Sequence, residues 1–313
     1  SVALGGLVQA LVQLPFLRNY ALEWRWHRAI APALLRMGPF AFTTSLRQFL
    51  NLVLTHILTR YPPAAVTGFY NAEVIFQMVL GLFATSPAIA LFPRMSALKG
   101  EELARFLTGP LKRLTLLLSL LGGMLVALAP FVVVLLFGLF GPLTPENRAY
   151  STQVLAALGF AVLPWGVNTL LLRGLYALGR IREAVFASAL VFLTNTLGYW
   201  LLKDAGLFAL NLATALAGYL GLFLYLRLLK REGVGIPELP GFLLKALLAG
   251  LPVALLGWIL GWVFPVAQAG EALLPLLLGG GLGLGVFLLA AWLLGLPLKA
   301  LLARTPAGGN KGV

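Results

Sequence analysis

The sequence predicts an all-α integral membrane protein of about eight transmembrane helices. Two compositional facts point there. Apolar residues make up 60% of the 313 positions and charged residues only 11%, with a mean hydropathy of +0.94; too little charge is present to cover a water-soluble surface. Long apolar runs then recur along the chain, each able to cross roughly 30 Å of hydrocarbon. A third observation, the order of the basic residues, orients the chain.

The runs place spans at about 34–59, 69–92, 112–137, 153–177, 184–202, 206–229, 242–263 and 272–294. Residues 1–33 read as the end of a preceding helix and a cytoplasmic linker, because the apolar stretch 1–17 is too short to span. Spans one to six form a helical lobe over 34–232, a cytoplasmic loop follows at 233–241, two further spans occupy 242–302, and 303–313 reads as a disordered tail. Breaks fall at turn-forming residues: Pro62-Pro63, Gly138 to Asn147, and Gly233 to Gly241. Little more than Lys203-Asp204-Ala205 joins spans five and six, which predicts a tight antiparallel hairpin. Pro87 and Pro164 fall inside spans and predict kinks. Gly279-Gly280-Gly281 with Gly283 and Gly285 predicts close helix packing. Trp200, Trp258, Trp262 and Trp292 lie near span ends, as an interfacial belt requires.

If 1–33 is cytoplasmic, alternating spans put 19 of the 23 basic residues inside. Arg60, Arg148 and Lys203 fall outside, and Arg47 falls within a span. That asymmetry predicts both ends in the cytoplasm. It also accounts for the formal charge of +13 without a nucleic-acid partner. The chain has no cysteine, which excludes disulfides, thiolate metal sites and cysteine nucleophiles. His27 and His56 are far apart, no acidic cluster suits a metal, and no Ser/His/Asp set can be assembled. Neither enzyme chemistry nor a cofactor is expected.

Polar residues inside the membrane concentrate on spans one and two. A charge there costs roughly 2.5–3.5 kcal/mol on insertion scales and needs a partner, water or a function. Span one carries Arg47, Asn51 and Thr55 on one stripe, by the i, i+4 rule. Span two carries Asn71, Glu73 and Gln77. On one reading Arg47, Asn51, Thr55, Glu73 and Gln77 line a hydrated cavity, with Arg47 binding an anionic headgroup. On the other, Arg47 and Glu73 satisfy one another within a bundle. Counting back from the turn puts His56 and Glu73 at similar depth. His56 reads as a hydrogen-bonded interfacial residue. Arg173, about one turn from the inner end of span four, can snorkel; together with Arg36 and Arg94 it is a candidate contact at the inner mouth.

The chain resembles the C-terminal part of the MurJ (MviN) lipid II flippase family, within the multidrug/oligosaccharidyl-lipid/polysaccharide exporter superfamily. Gly5 to Pro15 is similar to the end of that family's sixth helix. Tyr70-Asn71-Ala72-Glu73 with Leu80-Gly81-Leu82-Phe83 resembles the family's Tyr-Ala-Asp-Arg … Leu-Gly-Leu-Phe motif. Leu91-Phe92-Pro93-Arg94-Met95-Ser96 is similar to its Leu-Pro-Arg-Leu-Ser exit. Asn168, Leu171-Leu172-Arg173 and Tyr176-Ala177-Leu178-Gly179 resemble the end of its tenth helix, and Asn195 and Ala205 to Ala209 its eleventh and twelfth. The series is collinear over about 1–232. It departs where Glu73 takes the family's aspartate, Val74 its adjacent cavity arginine and Thr55 a further aspartate. After Gly179, Arg180-Ile181-Arg182-Glu183-Ala184 replaces Asp-Thr-x-Thr-Pro.

The resemblance implies the C-terminal half of a lipid II flippase in the bacterial cytoplasmic membrane, serving peptidoglycan biosynthesis. Its implied partners are a lipid-linked saccharide pyrophosphate, membrane lipids and a missing N-terminal lobe, in the same polypeptide or a separate chain. The headgroup would cross by alternating access, with the last two helices forming a groove for the lipid tails. By itself the 313-residue chain is expected not to flip lipid. Two alternatives stay open: an exporter of another polyprenyl-linked saccharide, and a degenerate, non-transporting membrane scaffold.

Overall fold

A computed structural model describes residues 51–139, 141 and 143–298, with the side chain of Trp258 excepted. The segment 1–33, Arg36, Arg47, most of span one and the tail 303–313 lie outside the described residues. Every regular element described is helical: α1 (51–58), α2 (Pro63–Ser96), α3 (Gly100–Gly138), α4 (Pro145–Ala177), α5 (Ile181–Leu202), α6 (Leu207–Arg231), α7 (Leu239–Val263) and α8 (Ala269–Leu293). Among the described residues α2–α8 are long and apolar enough to cross a membrane, and their order matches spans two to eight. The chain is a multi-pass membrane protein.

Helix ends follow local chemistry. Pro63 opens α2, where its missing N–H is no loss. Thr144 caps α4 by accepting from the Asn147 N–H at 3.2 Å. Gln268 and Glu271 form a reciprocal capping box at the start of α8. The hairpin between α5 and α6 is tight, four residues ending at Gly206, whose φ of +89° only glycine adopts readily. Helix α3 begins twelve residues ahead of its apolar run. Its 39 residues would reach about 58 Å, more than a bilayer core needs, so the charged turns of Glu101, Glu102 and Arg105 extend beyond it.

Proline acts differently at its two predicted kinks. Pro87 cannot donate to the Phe83 carbonyl, and just before it the helix widens into a π turn over Gly81–Thr85. There the Ser86 N–H and its hydroxyl both reach the Gly81 carbonyl. Pro164 instead sits buried in an uninterrupted α4, packed on Gly218 of α6.

Helix α4 is the axis of the bundle, contacting α2, α3, α5 and α6, while α7 and α8 pack on α3 and on one another. Adjacent glycines on α3 explain how one helix serves both sides. A Cβ on Gly122 would meet the Gly159 carbonyl of α4 at 2.7 Å, and one on Gly123 the Gly250 carbonyl of α7 at 2.7 Å. Such approach is how membrane helices gain van der Waals contact without a hydrophobic driving force. Ser119 also donates to the Ala246 carbonyl along the α3–α7 seam. In the α8 glycine tract, Gly279 and Gly283 pack against neighbours, whereas Gly280, Gly281 and Gly285 face open space. Close packing thus uses an i, i+4 pair rather than the whole run.

The two ends of the bundle differ in charge. Twelve of the fifteen basic residues described gather at the end holding the α2–α3 and α4–α5 connections, and Arg60, Arg148 and Lys203 lie at the other. The basic end is tied by Arg180 to Glu232 at 2.8 Å and by Lys112 to Glu238. At the opposite end Arg148 donates to the Val266 carbonyl at 2.7 Å, and the Tyr61 hydroxyl to the Lys203 carbonyl. Lys203 also lies 4.0 Å over the Trp200 ring. Trp262 and Trp292 are both exposed near span ends.

Candidate functional site

Helices α1 and α2 form a hairpin through residues 59–62. Across it the Thr55 hydroxyl lies 3.2 Å from the Tyr70 hydroxyl. Thr55 already donates its proton to the Asn51 carbonyl at 2.8 Å, so Tyr70 is the donor of this pair. With Thr55 opposite Tyr70, Glu73 stands level with residue 52. That is four residues, roughly 6 Å at 1.5 Å per residue, deeper than His56. The equal depth read from the sequence is corrected because α2 starts at Pro63, earlier than its apolar run.

Glu73 and Gln77 lie one turn apart on α2, both half-buried, and the Gln77 amide donates to the Glu73 carboxylate at 2.7 Å. Among the described residues Glu73 has no ion pair. Asn71 turns the other way and donates to the Ser151 hydroxyl of α4 at 3.3 Å. The face of α2 beside Glu73 is open: Tyr70, Val74, Met78 and Leu82, every fourth residue, are 49–63% exposed. Val74, which stands where the family resemblance expects an arginine, is the most exposed of them.

Glu73 also lies within electrostatic reach of Tyr199 on α5, which sequence reasoning did not single out. The Tyr199 hydroxyl is 2.7 Å from the Thr214 hydroxyl of α6 and accepts from Asn195 at 3.4 Å. Asn195 and Tyr199 are an i, i+4 polar pair on an apolar helix, a spacing that could have flagged them. The Asn195 carbonyl oxygen is buried without a hydrogen-bond partner among the described residues. Amide, phenol and hydroxyl groups of α5 and α6 therefore gather in the half of the bundle away from the basic end.

The remaining candidates lie elsewhere. Arg94, exposed at the end of α2, is 21 residues from Glu73, about 31 Å along a helix. Arg173 is half-buried near the end of α4, beside Tyr176. His56 is exposed, and its backbone carbonyl accepts from the Thr59 hydroxyl at 2.6 Å. Arg36 and Arg47 lie outside the described residues. The structure thus brings Asn51, Thr55, Glu73 and Gln77 to one hairpin and separates Arg94 and Arg173 from them.

Comparison with known proteins agrees with this architecture. The profile of the family described as "Lipid II flippase MurJ" matches residues 1–279. A protein of Vibrio cholerae named "Probable lipid II flippase MurJ" is 26% identical over 324 residues, covering 97% of this chain and 61% of the relative. A Helicobacter pylori protein of the same name is 29% identical over 261 residues, covering 77% of this chain and 54% of the relative. Among solved structures, "Lipid II flippase MurJ, inward closed conformation" superposes with a TM-score of 0.66 at 18% identity. It covers 87% of this chain and 56% of that one, a likeness of fold. The chain spans about half the length of the curated relatives it matches. On the match across most of its length, the chain belongs to the lipid II flippase MurJ family.

Proposed function

We propose that this chain is the C-terminal half of a lipid II flippase, carrying the headgroup of a lipid-linked peptidoglycan precursor across the bacterial cytoplasmic membrane by alternating access. One observation carries the reading: in a chain matched by the flippase family, the half-buried Glu73–Gln77 pair lies at membrane depth beside an open strip of α2 formed by Tyr70, Val74, Met78 and Leu82. A carboxylate only partly buried at membrane depth is costly against lipid, which favours a hydrated cavity completed by an N-terminal lobe. That lobe comes from the same polypeptide or from a separate chain. Arg47, Asn51, Thr55, Glu73 and Gln77 contact the headgroup in this reading, and Arg36, Arg94 and Arg173 meet it at the inner mouth. Helices α7 and α8 guide the lipid tails. The crowding of basic residues at one end supports a topology with both termini cytoplasmic.

The test is reconstitution of the chain into vesicles holding fluorescent lipid II, with and without a six-helix N-terminal lobe. Translocation is expected only with both lobes, and Arg47→Ala should slow it. Translocation by the chain alone, or by the Arg47→Ala complex at the unaltered rate, would reject the proposal. A different polyprenyl-linked saccharide that outcompetes lipid II would reassign the substrate. Val74 favours a second reading, a non-transporting scaffold, since it removes a charge that a pyrophosphate would need. Failure of the two-lobe complex to bind lipid II would support it.

A further inference from the structure

Between α5 and α6, at the basic end of the bundle, lies an open groove of about 660 Å³. Its mouth carries Arg182 from the first turn of α5, with Arg227 and Arg231, one turn apart near the end of α6. Two carboxylates lie near, Glu183 in the groove lining and Glu232 beside it, and both pair with Arg180, at 3.5 Å and 2.8 Å respectively. Among the described residues the three guanidinium groups at the mouth have no ion-pair partner.

Arg227 and Arg231 suit the negative end of the α6 dipole, but Arg182 contradicts local electrostatics. A cation in a first turn meets the positive end of its own helix and destabilises it unless an anion neutralises both. This is also where Arg180-Ile181-Arg182-Glu183-Ala184 replaces the Asp-Thr-x-Thr-Pro of the resembled family, placing two arginines at an N-terminus that keeps one acidic residue, Glu183. An anion here would receive guanidinium forks from two helices together with the α5 N–H dipole.

Apart from the three arginines and Glu183, the groove is apolar. Phe186 and Leu190 line it, and Leu193 and Leu197 continue the track along α5, these four being 40–75% exposed. From Phe186 to Leu197 the helix rises about 16 Å, close to one leaflet of a hydrocarbon core roughly 30 Å thick. We propose that this groove binds a phospholipid with an anionic phosphodiester headgroup. The phosphate sits between Arg182, Arg227 and Arg231, and one acyl chain lies along Phe186, Leu190, Leu193 and Leu197. The occupant belongs to the leaflet bordering the basic end. It is a structural lipid, separate from any transported substrate.

Because the chain contains no cysteine, a single Leu190→Cys variant can carry a fluorophore without disturbing the arginines. The full chain is placed in nanodiscs and titrated with phosphatidylglycerol or phosphatidylcholine bearing brominated tails. Phosphatidylglycerol should quench the label at about tenfold lower mole fraction, as expected for several arginines acting on one anion near the surface. A label at Leu277→Cys on the exposed face of α8 should be quenched equally by both lipids. Replacing Arg182, Arg227 and Arg231 by Gln should remove the preference, and replacing them by Lys should keep most of it. An equal response to the two lipids at Leu190→Cys overturns the proposal, as does a preference that survives the triple Gln variant. Should the Gln variant not fold, the comparison of Leu190→Cys with Leu277→Cys still decides. None of these readouts involves lipid II, so failure here leaves the transport proposal untouched.

Discussion

The Gln77 amide donates to the Glu73 carboxylate at 2.7 Å, one turn apart on the face of α2 where Val74 and Met78 lie open. A neutral amide orients this carboxylate without cancelling its charge. Gln77→Leu should therefore weaken lipid II binding by the two-lobe complex by about 1 kcal/mol, the net worth of such a hydrogen bond, or roughly fivefold in Kd. Glu73→Gln should weaken it more if the carboxylate meets a cationic or hydroxyl-bearing part of the headgroup. Calorimetry on both variants tests the pair, and unchanged Kd values for both would remove them from the site.

Val74→Arg distinguishes water from lipid beside α2. Facing a hydrated cavity, the new guanidinium should be tolerated and should strengthen binding of a pyrophosphate-bearing lipid. Facing hydrocarbon, it would cost about 2.5–3.5 kcal/mol on insertion scales and lower the yield of inserted protein. Expression level and lipid II affinity of the one variant read out both consequences.

The α3–α7 seam should tolerate no added carbon. A Cβ on Gly257 would lie 2.2 Å from the Ala127 Cα, a backbone atom that cannot swing aside. Gly257→Ala should cost about 1–3 kcal/mol, whereas Gly281→Ala, with open space around it, should stay within about 0.5 kcal/mol of the parent. Unfolding in mixed detergent micelles measures both.

Acid should loosen the α3–α7 connection at the basic end. A hydrogen bond and the charge of Lys112 hold the Glu238 carboxyl below its ordinary range. A carboxylate whose folded pKa is depressed contributes stability above its unfolded pKa and loses it as pH falls through the folded value. The loss should therefore come on the acid side of the usual carboxylate range, and Glu238→Gln should abolish it. Stability of the parent and the variant between pH 3 and 7 tests this, with a small difference expected because Glu238 is exposed.

Much of the fold was legible in the sequence, the site less so. Apolar runs located α2–α8 because hydrocarbon forces every backbone group into a helix and sets its least length. The short linker Lys203-Asp204-Ala205 implied the α5–α6 hairpin, and the polar stripe pointed to Asn51, Thr55, Glu73 and Gln77. The depth of Glu73 was misjudged because apolarity marks where lipid begins, whereas Pro63 marks where the helix begins.

Sequence by itself thus determined membrane class, span order and the separation of charge, all of which depend on one helix at a time and its solvent. Tertiary structure alone decided that α4 is the axis and that Gly122 and Gly123 serve different neighbours. It also joined Tyr199 to Thr214 across α5 and α6, and set Arg182 in one groove with Arg227 and Arg231. Those relations join residues on different helices, and in a bundle so uniformly apolar, hydrophobicity does not say which helix faces are in contact. Close fit between small residues and hydrogen bonding between the few polar ones make that choice.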